Sequence, residues 1–439
     1  MRSIAVSFIW ISISCATFVV AIAASPNDEA PLPRPLTLEL ALEHAIRSNP
    51  SLQRIREQIR EQEGVLVEAR SGQLPSLVAS GNYRSTEGRL LESSFSEKSN
   101  WTVDVTARQI LYAGGGTLAK VRGQREQLEA AKFVFTAALN DTVLSVRQQF
   151  YAVLLDRELI GVQEEALRVL ESEFTDARSR REVGTGSDFD VLRAEVAVAN
   201  ARPALIRARN AYHVAQDRLR ATLGVSAADS FQPTDLDVQA TLEIPHRQVV
   251  LFDALTSARA QRHELLQQER LIKAAEQGIV SARSGYLPTV SAVAGYEWTK
   301  PALTATTESH LEGWTAGVQT SWNIFEGRAT AGRVVQARSR VNQARFASSE
   351  RNLSVDVEVR QAHSSLMEAD DLLASSEKVV SQARESLRLS QARFQAGTAT
   401  QLDILQAQSA LTEARSNFAQ AQHAYAVALA SLQRAMGSN

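Results

Sequence analysis

Cysteine occurs once in 439 residues, at position 15. It falls in an N-terminal run with a positive start at Arg2, an apolar stretch from Ile4 to Val20 and the small-residue pattern Ala21-Ile22-Ala23. That arrangement reads as a secretory signal peptide over residues 1–24; the alternative is a membrane anchor helix. A bacterial lipid-attachment cysteine wants an aliphatic residue three positions earlier, where Ser12 stands. The mature chain is then expected to have no thiol, hence no disulfide and no thiolate metal site. Charge of one sign is also lacking: 47 Lys and Arg face 49 Asp and Glu. No basic excess argues for a nucleic-acid partner. Aromatics are 6%, which suits long helices with small-residue packing better than a thick globular core. The seven histidines, at 44, 213, 246, 263, 310, 363 and 423, have no metal-ligand spacing. No cofactor and no catalytic constellation is legible, so a secreted enzyme finds no support.

Proline is absent from 76 to 202 and from 302 to 439. Interior proline breaks helices, so these gaps license long helical tracts, Leu118–Val183 and Ala329–Ala396. At 1.5 Å per residue each would span on the order of 100 Å. In the second tract Val359, Leu366, Leu373, Val380, Leu387 and Phe394 recur every seven residues, the seam of a helix facing another helix. From the helices alone the expectation is an antiparallel coiled coil.

What is present is a duplication. "ARSGQLP" at 69–75 returns as "ARSGYLP" at 282–288, an offset of 213. The same offset carries Trp101 to Trp314, Gly184-Thr185 to Gly397-Thr398, Asp190 to Asp403 and Gly224 to Gly437. The chain therefore reads as two copies of one unit, 36–226 and 249–439, after an extended segment at 25–35 and joined by a linker at 227–248.

Ahead of each long tract lie stretches of period two. Strands are expected at about 74–85, 100–112, 287–298 and 313–325. On one side fall Leu77, Ala79 and Tyr83; Trp101, Val103, Val105, Ala107 and Leu111; Val290, Ala292 and Tyr296; and Trp314, Ala316, Val318, Trp322 and Ile324. Alternating segments of about ten residues, apolar on one face and polar on the other, are the signature of a transmembrane β-strand. Every tryptophan past the leader, at 101, 298, 314 and 322, lies in or beside these strands. With Tyr83 and Tyr296 they form a candidate interfacial belt. Lipid tolerates no open sheet edge, so four strands require assembly, two copies giving eight strands and three giving twelve. The segments 86–99 and 299–312 read as outward loops.

The duplicated helix–strand–strand–helix unit, the "LP" strand starts at Leu74-Pro75 and Leu287-Pro288, the strand ends "LYAGG" (111–115) and "IFEGR" (324–328), and "ARFQAGTATQLDILQAQ" (392–408) together resemble the TolC family of outer-membrane efflux proteins. The first copy, "REVGTGSDFDVLRAE", keeps Gly184, Thr185, Ser187, Asp190 and Leu192. The resemblance implies a mainly α protein with a transmembrane β-barrel portion: a homotrimer with a 12-stranded barrel in the outer membrane of a Gram-negative bacterium, continued by a 12-helix barrel through the periplasm. It implies an exit duct of a tripartite efflux or type I secretion system, with a periplasmic adaptor and an inner-membrane transporter as partners. Gly184, Thr185, Gly397 and Thr398 would be the adaptor-docking tips. Asp403, Gln406 and Asp190 would line and hold the periplasmic aperture, Gln406 standing where some relatives carry a second acid. The chain ends directly after the second unit, so a thin equatorial belt is expected. Thr400-x-x-Asp403 and Ser187-x-x-Asp190 also fit a helix capping box, which leaves a purely structural role open for both acids. The competing reading is a periplasmic coiled-coil scaffold or adaptor without a channel.

Overall fold

A computed structural model describes residues 35–85, 99–225, 236–242, 245–300 and 311–438. The leader at 1–24 with Cys15, residues 25–34 of the extended segment, and linker residues 227–235 and 243–244 lie outside the described residues, as do 86–98 and 301–310 of the expected loops; the remaining loop residues, Ser99, Thr299, Lys300, Leu311 and Glu312, belong to the strands. The elements are α1 (Leu38–Ser48), α2 (Pro50–Ser71), β1 (Ser76–Ser85), β2 (Ser99–Ala113), α3 (Gly116–Glu182) and α4 (Asp188–Leu223). They are followed by α5 (Leu251–Gln261), α6 (His263–Arg283), β3 (Thr289–Lys300), β4 (Leu311–Ser321), α7 (Ala329–Gln395) and α8 (Gln401–Met436). Adding 213 to the bounds of α1, α3 and α4 gives those of α5, α7 and α8. α3 and α7 are 67 residues each, about 100 Å of helix.

The long helices hold the chain together. α3 packs along α4, α8, α6 and α2, and α7 along α8 and α6. The seam read from the sequence is buried at Val359 and Leu366 of α7, with Val355 one turn before, against Tyr425, Leu429 and Leu432 of α8 and Ala254 and Ala258 of α5. Toward the far end Leu373, Val380, Leu387 and Phe394 are half-buried.

Each copy breaks its first helix at one side chain. Asn49 caps α2 by accepting from the backbone N–H of Ser51 and Leu52, and its Nδ2 donates to the carbonyl of Thr222 at 2.7 Å. At the matching place Arg262 donates from Nη1 to the carbonyl of Ala435 at 3.2 Å. Both bonds tie the break to the last turn of the copy's final helix. Gly224 closes that turn with φ +80°, and a Cβ there would meet the Ser48 carbonyl oxygen at 2.4 Å. The segment before α1 joins the linker through Leu36, whose N–H donates to Asp237 (2.8 Å) and whose carbonyl accepts from Gln239 (3.2 Å).

The strands form one antiparallel sheet in the order β1-β2-β3-β4. Two features of the strands differ from the sequence reading. β4 ends at Ser321 rather than 325, so Trp322 and Ile324 lie past the strand. The Trp322 indole N–H donates to the Tyr286 carbonyl at 3.1 Å, and the chain then turns through Gly327 (φ +60°) and Arg328 (φ +69°) into α7. In β2 a bulge between Ile110 and Tyr112 leaves Leu111 out of the pairing, which shifts the alternation by one residue. In the helices, α4 runs straight through Pro203. One lost hydrogen bond, about 3 kcal/mol, is tolerated within a 36-residue helix packed along α3.

Candidate functional site

The pairing register assigns each strand residue to a face. Directly opposed residues share a face, so one face carries the rows Tyr83–Trp101–Lys300, Ala79–Val105–Tyr296–Trp314 and Leu77–Ala107–Ala294–Ala316. Trp298 joins that face opposite Val103. The other face carries Ser80–Asp104–Glu297 and Asn82–Thr102–Thr299. There the Asp104 carboxylate accepts from the hydroxyls of Ser80 and Thr106, and the Thr102 and Thr299 hydroxyls meet at 3.0 Å. The apolar face is bare in a single chain: Trp314 is 77% exposed and Leu77 74%.

The aromatics Tyr83, Trp101, Tyr296, Trp298 and Trp314 gather near the loop end of the sheet, and the rings of Tyr296 and Trp298 stand 4.5 Å apart. At the helix end stand Tyr112, Tyr286 and Trp322, all exposed. Tyr112 and Tyr286 escaped the sequence reading, because the bulge hides the parity of Tyr112 and Tyr286 precedes its strand. From Trp101 to Tyr112 the strand runs on the order of 33 Å; tilted by about 40° it stands about 25 Å tall, the height of a barrel's apolar band. Among the described residues no helix is long and apolar enough to cross a membrane.

At the opposite end of the molecule α3 and α7 stop in the same way. Gly184 and Gly397 adopt φ +79° and +73°. Their N–H groups donate to Arg181 and Phe394, and the following Thr185 and Thr398 N–H groups donate to Arg180 and Arg393, both at 2.8 Å. These paired bonds satisfy the last carbonyls of each helix. The threonine hydroxyls donate to the same Arg180 and Arg393 carbonyls, at 3.2 and 3.1 Å. Threonine at this place in both copies thus has a local cause that the sequence did not disclose.

Each returning helix starts with a full capping box. Asp403 Oδ2 accepts from the Thr400 N–H (2.7 Å) and hydroxyl (2.8 Å). These bonds, the backbone one foremost, hold the Asp403 carboxyl below its ordinary range. Asp190 Oδ2 accepts from the Ser187 hydroxyl at 2.7 Å and its N–H at 3.4 Å. Asp403 and Gln406 are both exposed, one turn apart on one side of α8. The two hairpin ends meet where the Arg180 guanidinium covers the Phe394 ring, and Arg181 pairs with Asp188 at 2.5 Å within the first tip.

The chain's sequence matches the profile of the outer membrane efflux protein family over residues 41–225 and 254–438, two blocks again 213 apart. It is similar to the outer membrane efflux protein BepC of Brucella suis, 25% identical over 411 residues that cover 91% of this chain and 85% of BepC. It is likewise 25% identical to protein CyaE of Bordetella pertussis over 407 residues, 89% of this chain and 83% of CyaE. Its fold matches the crystal structure of the outer membrane protein VceC of Vibrio cholerae with a TM-score of 0.75 at 19% identity, covering 92% of this chain and 96% of that one. The chain belongs to the outer membrane efflux protein family, with its strands in the outer membrane and its long helices in the periplasm.

Proposed function

We propose that three copies of this chain close one 12-stranded barrel and one 12-helix tube, and that the assembly is the passive exit duct of a tripartite export machine. One observation carries this reading: a four-stranded sheet with a bare apolar face and two unpaired edges, β1 and β4, runs directly into two helices of 67 residues. An open edge in lipid leaves backbone groups unsatisfied at several kcal/mol each, so the edges must meet in further copies. The polar face, with Asp104, Thr102 and Thr299, then lines a wet lumen. The aromatic belt of Tyr83, Trp101, Tyr296, Trp298 and Trp314 sits at the outer interface, and Trp322 at the periplasmic one.

In this assembly the tips Gly184-Thr185 and Gly397-Thr398 face a periplasmic adaptor that links the duct to an inner-membrane transporter. Three copies of Asp403 and Gln406 ring the narrow end. Asp403 acts both as cap and as charge: its Oδ2 is committed to Thr400, while the carboxylate as a whole keeps its charge. Asp190 helps hold the closed arrangement from the neighbouring hairpin. The efflux role is supported by the family and by a relative named an efflux protein.

Reconstitution into planar bilayers tests the reading. The protein is expected to form discrete conductances. Replacing Thr398 with Arg should leave assembly and conductance intact while export in cells is lost. A folded protein that inserts without any conductance would favour a scaffold role instead.

A further inference from the structure

The two helical hairpins share one plan and differ at one charged contact. In the first, Glu171 of α3 meets Arg202 of α4 at 3.7 Å. The offset of 213 carries these positions onto Arg384 of α7 and Arg415 of α8. Two guanidiniums therefore stand in the second hairpin where the first has an ion pair. Both line a cavity of about 440 Å³, formed between α3, α7 and α8 beneath linker residues 241–242.

No described residue forms an ion pair or hydrogen bond with either arginine. The nearby Glu165 is gripped by Arg168 at 2.6 and 2.9 Å, and those hydrogen bonds, with a lesser pull from Arg415, hold its carboxyl below its ordinary range. The cavity's third arginine, Arg157, is committed to the carbonyls of Val238 and Ala240, both at 2.6 Å. Glu158 is the one acid in the lining, so three guanidiniums face one carboxylate. The rest of the wall is largely apolar, with Leu154, Val162, Val380 and Phe418. Arg415 is half-buried and Arg384 exposed, and like charges on one cavity wall repel. A shared anion would relieve them, because guanidiniums bind carboxylates through paired, geometrically fixed hydrogen bonds. The volume falls within the range of small-molecule sites, about 300–1,000 Å³.

We propose that this cavity binds a small anionic amphiphile, its carboxylate between Arg384 and Arg415 and its apolar body against Val380 and Phe418. The bound molecule joins α3 of the first copy to the α7–α8 hairpin of the second, beside the linker that Arg157 holds, and so stiffens the joint between the halves of the chain. The inference rests on the cavity and on the broken symmetry of the repeat, and does not depend on the stoichiometry of the assembly.

The test is binding of 2-naphthoate to the full-length protein in lipid nanodiscs at neutral pH, with 2-naphthamide as the uncharged isostere and sulfate as the bare anion. Saturable binding of one naphthoate per chain is expected, with the amide and sulfate weaker by at least about tenfold, a difference of roughly 1.4 kcal/mol. Arg384→Glu rebuilds the ion pair of the first hairpin, so it should fold, melt higher than the wild type without ligand, and lose naphthoate binding by a similar factor. Arg384→Gln should lose binding without the rise in melting temperature. Uptake that is unsaturable and equal for acid and amide would overturn the proposal. So would sulfate binding as tightly as naphthoate, or Arg384→Glu binding like the wild type.

Discussion

The guanidinium carbon of Arg180 sits 4.5 Å from the centroid of the Phe394 ring. The same arginine's carbonyl ends α3 by accepting from Thr185 and Gly186. One residue thus finishes the first hairpin's long helix and clasps the second's. At an exposed site such a contact contributes about 0.5–1 kcal/mol. Phe394→Leu keeps an apolar side chain and removes the ring. If the tips part when the duct opens, single-channel recordings should show open occupancy rising roughly two- to fivefold, with assembly unchanged. Identical gating in the variant would remove the clasp from the opening step.

Asp403 separates capping from gating. Its carboxyl is held below its ordinary value of 3.8 by the Thr400 hydrogen bonds, so the charge persists from neutral pH down past that value. Block of the channel by multivalent cations should be flat over this span and fade only in stronger acid, because like charges around one axis draw cations. Asp403→Asn should lower both cation selectivity and block while leaving the melting temperature nearly unchanged. A melting shift with selectivity intact would mean that Asp403 serves the helix start alone.

A second charged cluster predicts an acid limit to stability. The Arg262 side chain is 2% exposed and its Nη2 contacts Glu264 (2.9 Å) and Glu358 (2.7 Å). Arg434 reaches the same two acids at 3.2 and 3.0 Å, and also Asp141 at 2.7 Å. Burial alone would raise Glu264 and Glu358, but the hydrogen bond from Arg262 and the surrounding guanidiniums outweigh it and leave both below their ordinary 4.5. A carboxyl lowered on folding stabilises the fold above its unfolded value, and that contribution is lost as pH falls through the folded value. Apparent melting temperature should therefore be level above about pH 6 and drop progressively below 4.5. Arg262→Asn, which copies Asn49 of the first unit, should destabilise by less than the ~3–5 kcal/mol typical of a buried charge left unpaired, since Arg434 remains, as does Arg351, which stands 3.3 Å from Glu264 and 3.4 Å from Glu358. An unchanged acid profile in that variant would disconnect the cluster from acid stability.

The face assignment of the sheet can be checked by depth. Ala316 lies mid-height on the apolar face, Thr315 beside it on the polar face, and Trp322 past the strand's end. Ala316→Arg should cost roughly 2–4 kcal/mol and Trp322→Arg about 0–1. Thr315→Arg should insert normally and alter conductance. Equal damage from arginine at 315 and 316 would contradict the register.

Much of this was legible in the sequence because two periods repeat. The apolar alternation of Leu77, Val103, Tyr296 and Trp314 reports the sheet's faces, and the sevenfold recurrence from Val359 to Phe394 reports the helix seam. The offset of 213 predicted two strand–helix units, and the elements follow it. What stayed hidden depends on contacts between distant residues or on local geometry without a compositional mark. Leu36 meets Asp237, and Arg180 meets Phe394, across separations that no periodicity encodes. The bulge at Leu111 and the early end of β4 are set by how strands turn into helices, so Trp322 looked like a strand residue. Nothing in the sequence marks Arg262; only its bond to the Ala435 carbonyl, matching that of Asn49 to Thr222, shows its part in the helix break.

The lumen, the aromatic belt and the aperture all depend on three chains closing one barrel. Native mass spectrometry of the full-length protein, released gently from lipid nanodiscs, counts those chains. A single species of three chains is expected, whose loss on removing lipid and detergent coincides with loss of the folded sheet. A stable folded monomer, or a dominant assembly of two or four chains, would contradict it.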